Sequence, residues 1–378
     1  NFADVVIFNP NTIIDKATTK NSVAISEGIE SVFVNGQLVY ENGKTTRYRS
    51  GKFLPGPAFK MNEMNVELTN YLKSEISENE PGIALLVRKD GNVLYEKGFG
   101  LENLETKDEI TTHSSFRMAS VSKQFFAAAI LICQENGLVN IKDEITKYIS
   151  NNHLEGITVE NLIHHTSGIR DYYNQAFEEW DDSRNQTNAD MIKFFEQSYP
   201  EPYFQPGEKW EYNSGATMLL SYLIKKATGK DLTKYLEENL FNELGIQDYY
   251  WKHTPMGLTD AEGGLYLTPK DLAKFGYLYL HDGTWDGKRV LPKDWVATNT
   301  ADPIDLSFSP VFKYGDQWWL ITYGDSGISM LASGLGGQRM LVIPEFNIVA
   351  VFTGWNVYDV PALDSWMAMH KLINAIIK

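Results

Sequence analysis

The sequence predicts an α+β protein, with an antiparallel β-sheet flanked by helices, a mostly helical lobe and a small all-β segment at the N-terminus. Three observations carry that prediction. Ile83 to Phe99 reads as two strands around an Asp90-Gly91 turn, the pattern of a tight hairpin. Far along the chain, Gln317–Thr322, Gly327–Leu331, Gln338–Ile343 and Ile348–Thr353 read as strands, closed by a helix from Pro361 to Ile377. Between these lies a helical and loop-rich stretch reaching about Tyr250. A helix and hairpin at one end, with strands and a helix at the other, let the two ends of the region share one sheet.

Residues 1–58 differ in texture from residues 59–378, and the two are predicted to be separate domains. Asp4 to Phe8 reads as a strand closed by Asn9-Pro10-Asn11. Glu30 to Tyr40 reads as a hairpin on Asn35-Gly36, with a further turn at Gly43. Ser50 to Pro57 is a Gly/Pro-rich linker. So few strands bury too little surface to stand alone. In the larger region Asn62 to Glu78 reads as an amphipathic helix ended by Pro81-Gly82, and Pro269 to Tyr279 as another following Gly263-Gly264.

Composition narrows the function. At 43% hydrophobic and 22% charged, the 378 residues suit a globular protein with a sizeable core. Twenty Tyr, 19 Phe and 9 Trp suit a cleft with apolar walls. A net charge of −15 without any Lys/Arg-rich run argues against nucleic acid as a partner. No apolar run approaches the length of a membrane span, and no signal peptide is visible. Cys133 is the only cysteine and lies in an apolar run, where it reads as packing. The chain opens on Asn1, so its natural start is expected to lie elsewhere or to have been trimmed.

Chemistry concentrates around Ser120-Val-Ser-Lys123, the only Ser/Thr-x-x-Lys in the chain. Phe125 to Cys133 is apolar almost without interruption, so a helix there has to be buried on every side. If that helix starts near Ser120, the spacing of three puts Ser120 and Lys123 on one side, a turn apart. The hydroxyl then lies at the positive helix end, where unpaired N–H groups favour a developing oxyanion. The amine, desolvated beside that positive end, is expected to lose proton affinity. A serine beside a neutral lysine is a nucleophile with its base. Two other motifs are set aside. Gly324-Asp-Ser-Gly327 lacks the barrels, His and Asp that a protease serine of that type requires. His164-His165 point to different helix faces with no further ligands, which fits core or turn-capping histidines better than a metal site.

Phe116-Arg-Met-Ala-Ser120-Val-Ser-Lys123 resembles the nucleophile motif of the class C β-lactamase and penicillin-binding-protein superfamily. Other segments resemble later parts of that family in order: Ile157 to Gly168, Phe204 to Ser214, Gly264 to Ala273 and Gly283 to Leu291. The resemblance runs from about residue 60 to the end and implies a β-lactamase/transpeptidase-like fold. It also implies Ser120 as nucleophile, Lys123 as base and Tyr212 as the tyrosine of the second motif, and it calls for no metal or organic cofactor. Lys123 and Tyr212 would titrate together, so which is the base stays open. Counting back from Thr228-Gly-Lys, the family's asparagine position holds Ser214, with Asn213 beside it; either could hold substrate. The third motif, normally Lys-Thr-Gly or His-x-Gly, is replaced by Leu331-Ala-Ser-Gly-Leu-Gly-Gly-Gln338. Ser333, Gly334, Leu335 and Gly336 are the candidates there for substrate contact and an oxyanion N–H. The missing cation turns the expectation away from β-lactams and peptide carboxylates. With Tyr314 to Trp319, the segment is more like the branch of aminohexanoate-oligomer hydrolases and esterases.

Residues 3–10, 15–18 and 27–39 resemble the C-terminal tail of D-aminoacylase (N-acyl-D-amino-acid deacylase), which implies a fusion to a barrel absent from this sequence. The expected activity is acyl transfer through a serine ester on small amides, esters or short peptides, D-amino-acid derivatives among them. The alternatives are a penicillin-binding or β-lactamase activity, and an acylated sensor or scaffold that never turns over. The resemblance favours a periplasmic or secreted location.

Overall fold

The computed structural model describes residues 5–16, 26–34, 37–46, 57–150, 154–169, 171, 202–253, 257–293, 295–296, 300, 302–323, 327–355 and 365–377. The Asn35-Gly36 turn, linker residues 50–56 and Gly324 to Ser326 lie outside this set. The chain forms two compact units, Asn1–Glu63 and Met64–Lys378. The first carries an antiparallel sheet of β1 (Val5–Phe8), β2 (Ile29–Val34), β3 (Gln37–Glu41) and β4 (Lys44–Thr45), in that order. It is thin: Val5, Val6, Ile7 and Phe8 all remain exposed.

The second unit is organised on an eight-stranded antiparallel sheet. Its strands are β5 (Ile83–Lys89), β6 (Asn92–Phe99), β12 (Ile304–Leu306), β13 (Ser309–Gly315), β14 (Trp318–Tyr323), β15 (Gly327–Gly334), β16 (Gln338–Ile343) and β17 (Ile348–Gly354). Their spatial order is β12-β13-β14-β15-β16-β17-β5-β6. The early hairpin therefore joins the last strand, Gly354 facing Ile83 and Ile348 facing Lys89. Period-two alternation splits the apolar residues between two faces. Ile83, Leu85 and Val87 pack with Leu341 and Ile343 against α1 (Pro57–Glu75) and α6 (Ser365–Ile377). Ala84 and Leu86 face the other way, into a larger core with Met340 and Val342. That core also receives α2 (Ser122–Glu135), α3 (Val159–Ile163), α4 (Ser214–Thr228) and α5 (Pro269–Leu280). Ser122 through Cys133 are all buried, as an all-apolar helix requires.

Two smaller sheets complete the unit. One is a hairpin of β10 (Thr284–Trp285) and β11 (Lys288–Arg289). The other joins β7 (Phe116–Arg117), β9 (Leu265–Leu267) and β8 (Tyr250–Trp251) in that order.

Several elements depart from expectation. Helix α1 begins at Pro57 rather than Asn62, because proline, a loop signal elsewhere, is well suited to a first helical position. It ends at Glu75 rather than Glu78. Strands β12 and β13 were not anticipated; Pro310 lies inside β13, and proline in a strand is tolerated near a sheet edge, where these two lie. Helix α2 begins at Ser122, and Ser120 sits in a preceding 3₁₀ turn, Ala119–Val121.

Candidate active site

Backbone geometry presents Ser120. The short strand β7 pairs with β9, Phe116 facing Leu267 and Arg117 facing Tyr266. Met118 N then donates to Leu265 O at 2.7 Å. Ala119 follows with φ of 47°, a left-handed conformation that L residues adopt at a cost of about 1–3 kcal/mol. The chain thereby turns sharply into Ser120 and enters α2. Gly263 makes the turn feasible, since a Cβ there would stand 3.1 Å from Ala119 Cα. Ser122, the other serine of the motif, accepts from Leu265 N at 3.3 Å and ties the helix start to β9.

Lys123 is 1% exposed, and its Nζ donates to Ser120 Oγ at 3.2 Å and to Glu262 O at 2.8 Å. The same Nζ lies 5.3 Å from the centre of the Tyr212 ring. Ser120, Lys123 and Tyr212 thus converge, from the α2 entry and from the residues just before α4. Aromatic rings hold Tyr212: its centroid is 4.6 Å from His165, and it stacks at 6.3 Å and 14° on Trp319. His165 is buried, and its Nδ1 accepts from Asn213 N at 3.2 Å. Burial, then the charges of Lys123 and His164, hold its imidazole well below the usual range, so it is neutral.

Strand β15 closes the site from the sheet side. A Cβ on Gly334 would come within 2.5 Å of Met118 O and 3.2 Å of Ser120 N, so only glycine lets the strand approach the Ser120 amide. Ser333 stands in the alternate register, opposite Arg339 and on the face of Leu331 and Leu341. The strand thus offers Ser120 main chain at Gly334 rather than the Ser333 hydroxyl. Leu335 is exposed, and Gly336 and Gly337 turn with φ of 86° and 88°. Gln338 is locked to β17, its Oε1 accepting from Gly354 N at 3.2 Å and its Nε2 donating to Gly354 O at 2.5 Å.

Asn213 and Ser214 have structural duties. Asn213 caps α4, its Oδ1 accepting from Ala216 N at 2.9 Å and its Nδ2 donating to Ile169 O at 2.5 Å. The amide thus ties the start of α4 to the Ile169 main chain. Ser214 N and Gly215 N donate to the Asp171 carboxylate at 3.2 and 3.3 Å.

Three further neighbours have roles that the sequence reading did not assign. Gln317 and Asp316 form the β13–β14 turn with φ of 73° and 41°. Gln317 Nε2 donates to Ile163 O while its own carbonyl accepts from Gln124 Nε2, clamping the sheet onto α3 and α2. Asp316 Oδ1 pairs with His164 Nε2 at 2.7 Å. Burial would lower the His164 imidazole, but the Asp316 hydrogen bond and charge outweigh it and raise it. The third neighbour is Glu262, whose carbonyl receives Lys123. Burial foremost pushes its carboxyl up to about 7, with Asp171 adding to the rise and Lys123 and Arg117 opposing it. Its presence beside Gly263-Gly264 is plain in the sequence, but only the fold brings it to Lys123. Among the described residues no group of three or more His, Cys, Asp or Glu is placed to hold a metal ion, and no helix is long and apolar enough to cross a membrane.

Comparison with known proteins gives the fold its family. The Beta-lactamase family model matches residues 68–355. Penicillin-binding protein 4* of Bacillus subtilis is 27% identical over 279 residues, covering 66% of this chain and 62% of its own length. The chain therefore spans about three-fifths of that relative. A putative 6-aminohexanoate-dimer hydrolase from Bacillus anthracis superposes with a TM-score of 0.63 at 21% identity, covering 82% of this chain and 80% of its own. EstCE1, a hydrolase with promiscuous acyltransferase activity, superposes with a TM-score of 0.69 at 13% identity, covering 84% and 99%. The α+β architecture is β-lactamase-like, and the chain belongs to the Beta-lactamase family of serine hydrolases.

Proposed function

We propose that the protein hydrolyses amide or ester bonds of small substrates through an acyl-enzyme on Ser120. The observation that carries this reading is the 3.2 Å contact between Lys123 Nζ and Ser120 Oγ, made by an amine that is 1% exposed. Ser120 Oγ attacks the substrate carbonyl carbon while Lys123 Nζ takes its proton. The oxyanion is received by the Ser120 amide and an N–H of the Gly334–Gly336 segment. When the tetrahedral intermediate collapses, the carbonyl–leaving-group bond breaks and a proton passes through Tyr212 to the departing amine or alcohol. Water then adds to the ester carbonyl, the same bases carry its proton, and Ser120 is released with a carboxylic acid. Substrate contact at the rim falls to Leu335 and the main chain of Gly336, with Ser214 at the start of α4.

Two features support amides and esters over β-lactams. The segment from Leu331 to Gln338 has no lysine or histidine to hold a substrate carboxylate, and Leu335 is exposed there instead. The aminohexanoate-dimer hydrolase and EstCE1 names fit the same choice, while penicillin-binding protein 4* keeps a β-lactam reading in the test. The D-aminoacylase likeness of residues 1–58 lies outside the matched span of 68–355 and rests on sequence alone, so D-amino-acid amides are included as one substrate arm.

Stopped-flow assays with a p-nitrophenyl ester, nitrocefin and D-alanine amide test the proposal. The expected result is steady turnover of the ester or the amide, with nitrocefin slower by roughly tenfold or more. A single burst without turnover on all three would replace the hydrolase with an acylated sensor, and preferential nitrocefin hydrolysis would restore the β-lactamase reading.

A further inference from the structure

Glu262 is an acidic residue set against the proposed base. Its carbonyl is 2.8 Å from Lys123 Nζ, its own N–H donates to Asp260 Oδ1 at 3.2 Å, and the following Gly263 receives Arg117 Nε on its carbonyl at 3.0 Å. The residue is therefore fixed on both sides of its Cα beside the Ser120 turn. One carboxyl oxygen, Oε1, is sealed from solvent and has no hydrogen-bond partner among the described residues. A buried acceptor left without a donor is destabilising, and a ligand donor would relieve it.

The surroundings fix the character of that donor. Lys123 and Arg117 act on Glu262 as positive charges and Asp171 as a second negative one. Among the described residues, Arg117 donates to Gly263 O, and Arg339 to Gly334 O and Gln338 O at 3.0 and 2.8 Å. Nearby aromatic faces belong to Tyr212 and Trp319, with Trp210 6.3 Å from Tyr212. An unsatisfied carboxyl oxygen, a second carboxylate and half-buried aromatic rings suit an organic cation. They do not suit a substrate carboxylate, which other residues would have to attract.

We propose that Glu262 is a specificity-determining residue, selecting substrates whose acyl part carries a primary ammonium group. This rests on Ser120 being the acylated nucleophile and names the class of acyl donor for that same site. An α-ammonium, as in an amino-acid amide, and an ω-ammonium, as in an aminoalkanoyl amide, share the chemistry and are separated by the test.

Two matched pairs of p-nitroanilides provide it: 6-aminohexanoyl against hexanoyl, and D-alanyl against N-acetyl-D-alanyl. The expected result is a kcat/KM ratio of roughly tenfold or more for the charged member of one pair. Glu262→Gln should bring that ratio close to one, and Glu262→Asp should retain part of it. The pair that shows the effect assigns the ammonium as ω or α. A ratio near one in the wild type, or an unchanged ratio in Glu262→Gln, overturns the inference while leaving Ser120 intact as nucleophile. If Glu262→Gln is inactive on every compound, Glu262→Ala decides by the same ratio: a ratio equal to wild type overturns the inference, and a ratio near one supports it. If the wild type turns over none of the four, nor the p-nitrophenyl ester, the hydrolase reading fails and the inference falls with it.

Discussion

Ser120→Ala is expected to lower kcat/KM for a p-nitrophenyl ester on the order of 10⁴-fold or more, at unchanged fold. The size of the effect follows from covalent chemistry: without Oγ there is no atom to carry the acyl group, and only the oxyanion donors and binding surface remain. Ser120 is half-buried and caps no helix, so its loss removes little packing. The neighbouring Ser122 supplies the control. Its hydroxyl accepts from the Leu265 amide at 3.3 Å, and Ser122→Ala should cost stability rather than chemistry. Steady-state kinetics with thermal melts on both variants separate the two. Comparable losses of rate in both would count against Ser120 as the nucleophile.

Gly334→Val is expected to lower kcat by roughly 10²-fold or more, through displacement rather than loss of a reacting group. Any side chain at 334 has its Cβ 2.5 Å from Met118 O and 3.2 Å from Ser120 N. Neither atom can yield easily. Met118 is pinned by Leu265 O at 2.7 Å, and Ala119 next to it already holds a left-handed φ. Strand β15 is likewise paired on both edges, with β14 and β16. The strain therefore shifts the Ser120 amide and the facing main chain, which are the proposed oxyanion donors. Gly334→Ala should show a smaller loss in the same direction. Wild-type kcat in Gly334→Val would remove this strand from the chemistry.

Much of the fold was legible because its signals are local. Asp90-Gly91 between alternating runs gives β5 and β6, and the apolar run Phe125 to Cys133 can only be a buried helix. Joining β5 to β17 followed from the order of elements, since the two ends of the second unit need one sheet to share a core. Signals that depend on two meanings of one residue were misread. Proline marks loops and also opens helices, so Pro57 was assigned to the linker; Pro310 concealed β13.

The candidate site divides along the same line. Ser120 and Lys123 are three residues apart, and their meeting is a local consequence of one helical turn. Tyr212 came from resemblance, because nothing near it in sequence says that its ring will lie over Lys123. Asn213 illustrates the opposite case. An asparagine just before a helix is by propensity a cap, and it is one here. The long-range partners of Glu262, Asp171 and Gln317 could not be read, since each acts across more than 40 residues and only tertiary packing brings it to them.

Acylation of Ser120 itself is the most direct test. The protein is mixed with a slowly deacylating p-nitrophenyl ester, quenched in acid within the burst and measured as intact mass, then digested and sequenced by tandem mass spectrometry. The account predicts one acyl increment per chain, located on Ser120, absent from Ser120→Ala and strongly slowed in Lys123→Met. An increment on any other residue, or turnover of the ester with no covalent species at any quench time and an active Ser120→Ala, would contradict it.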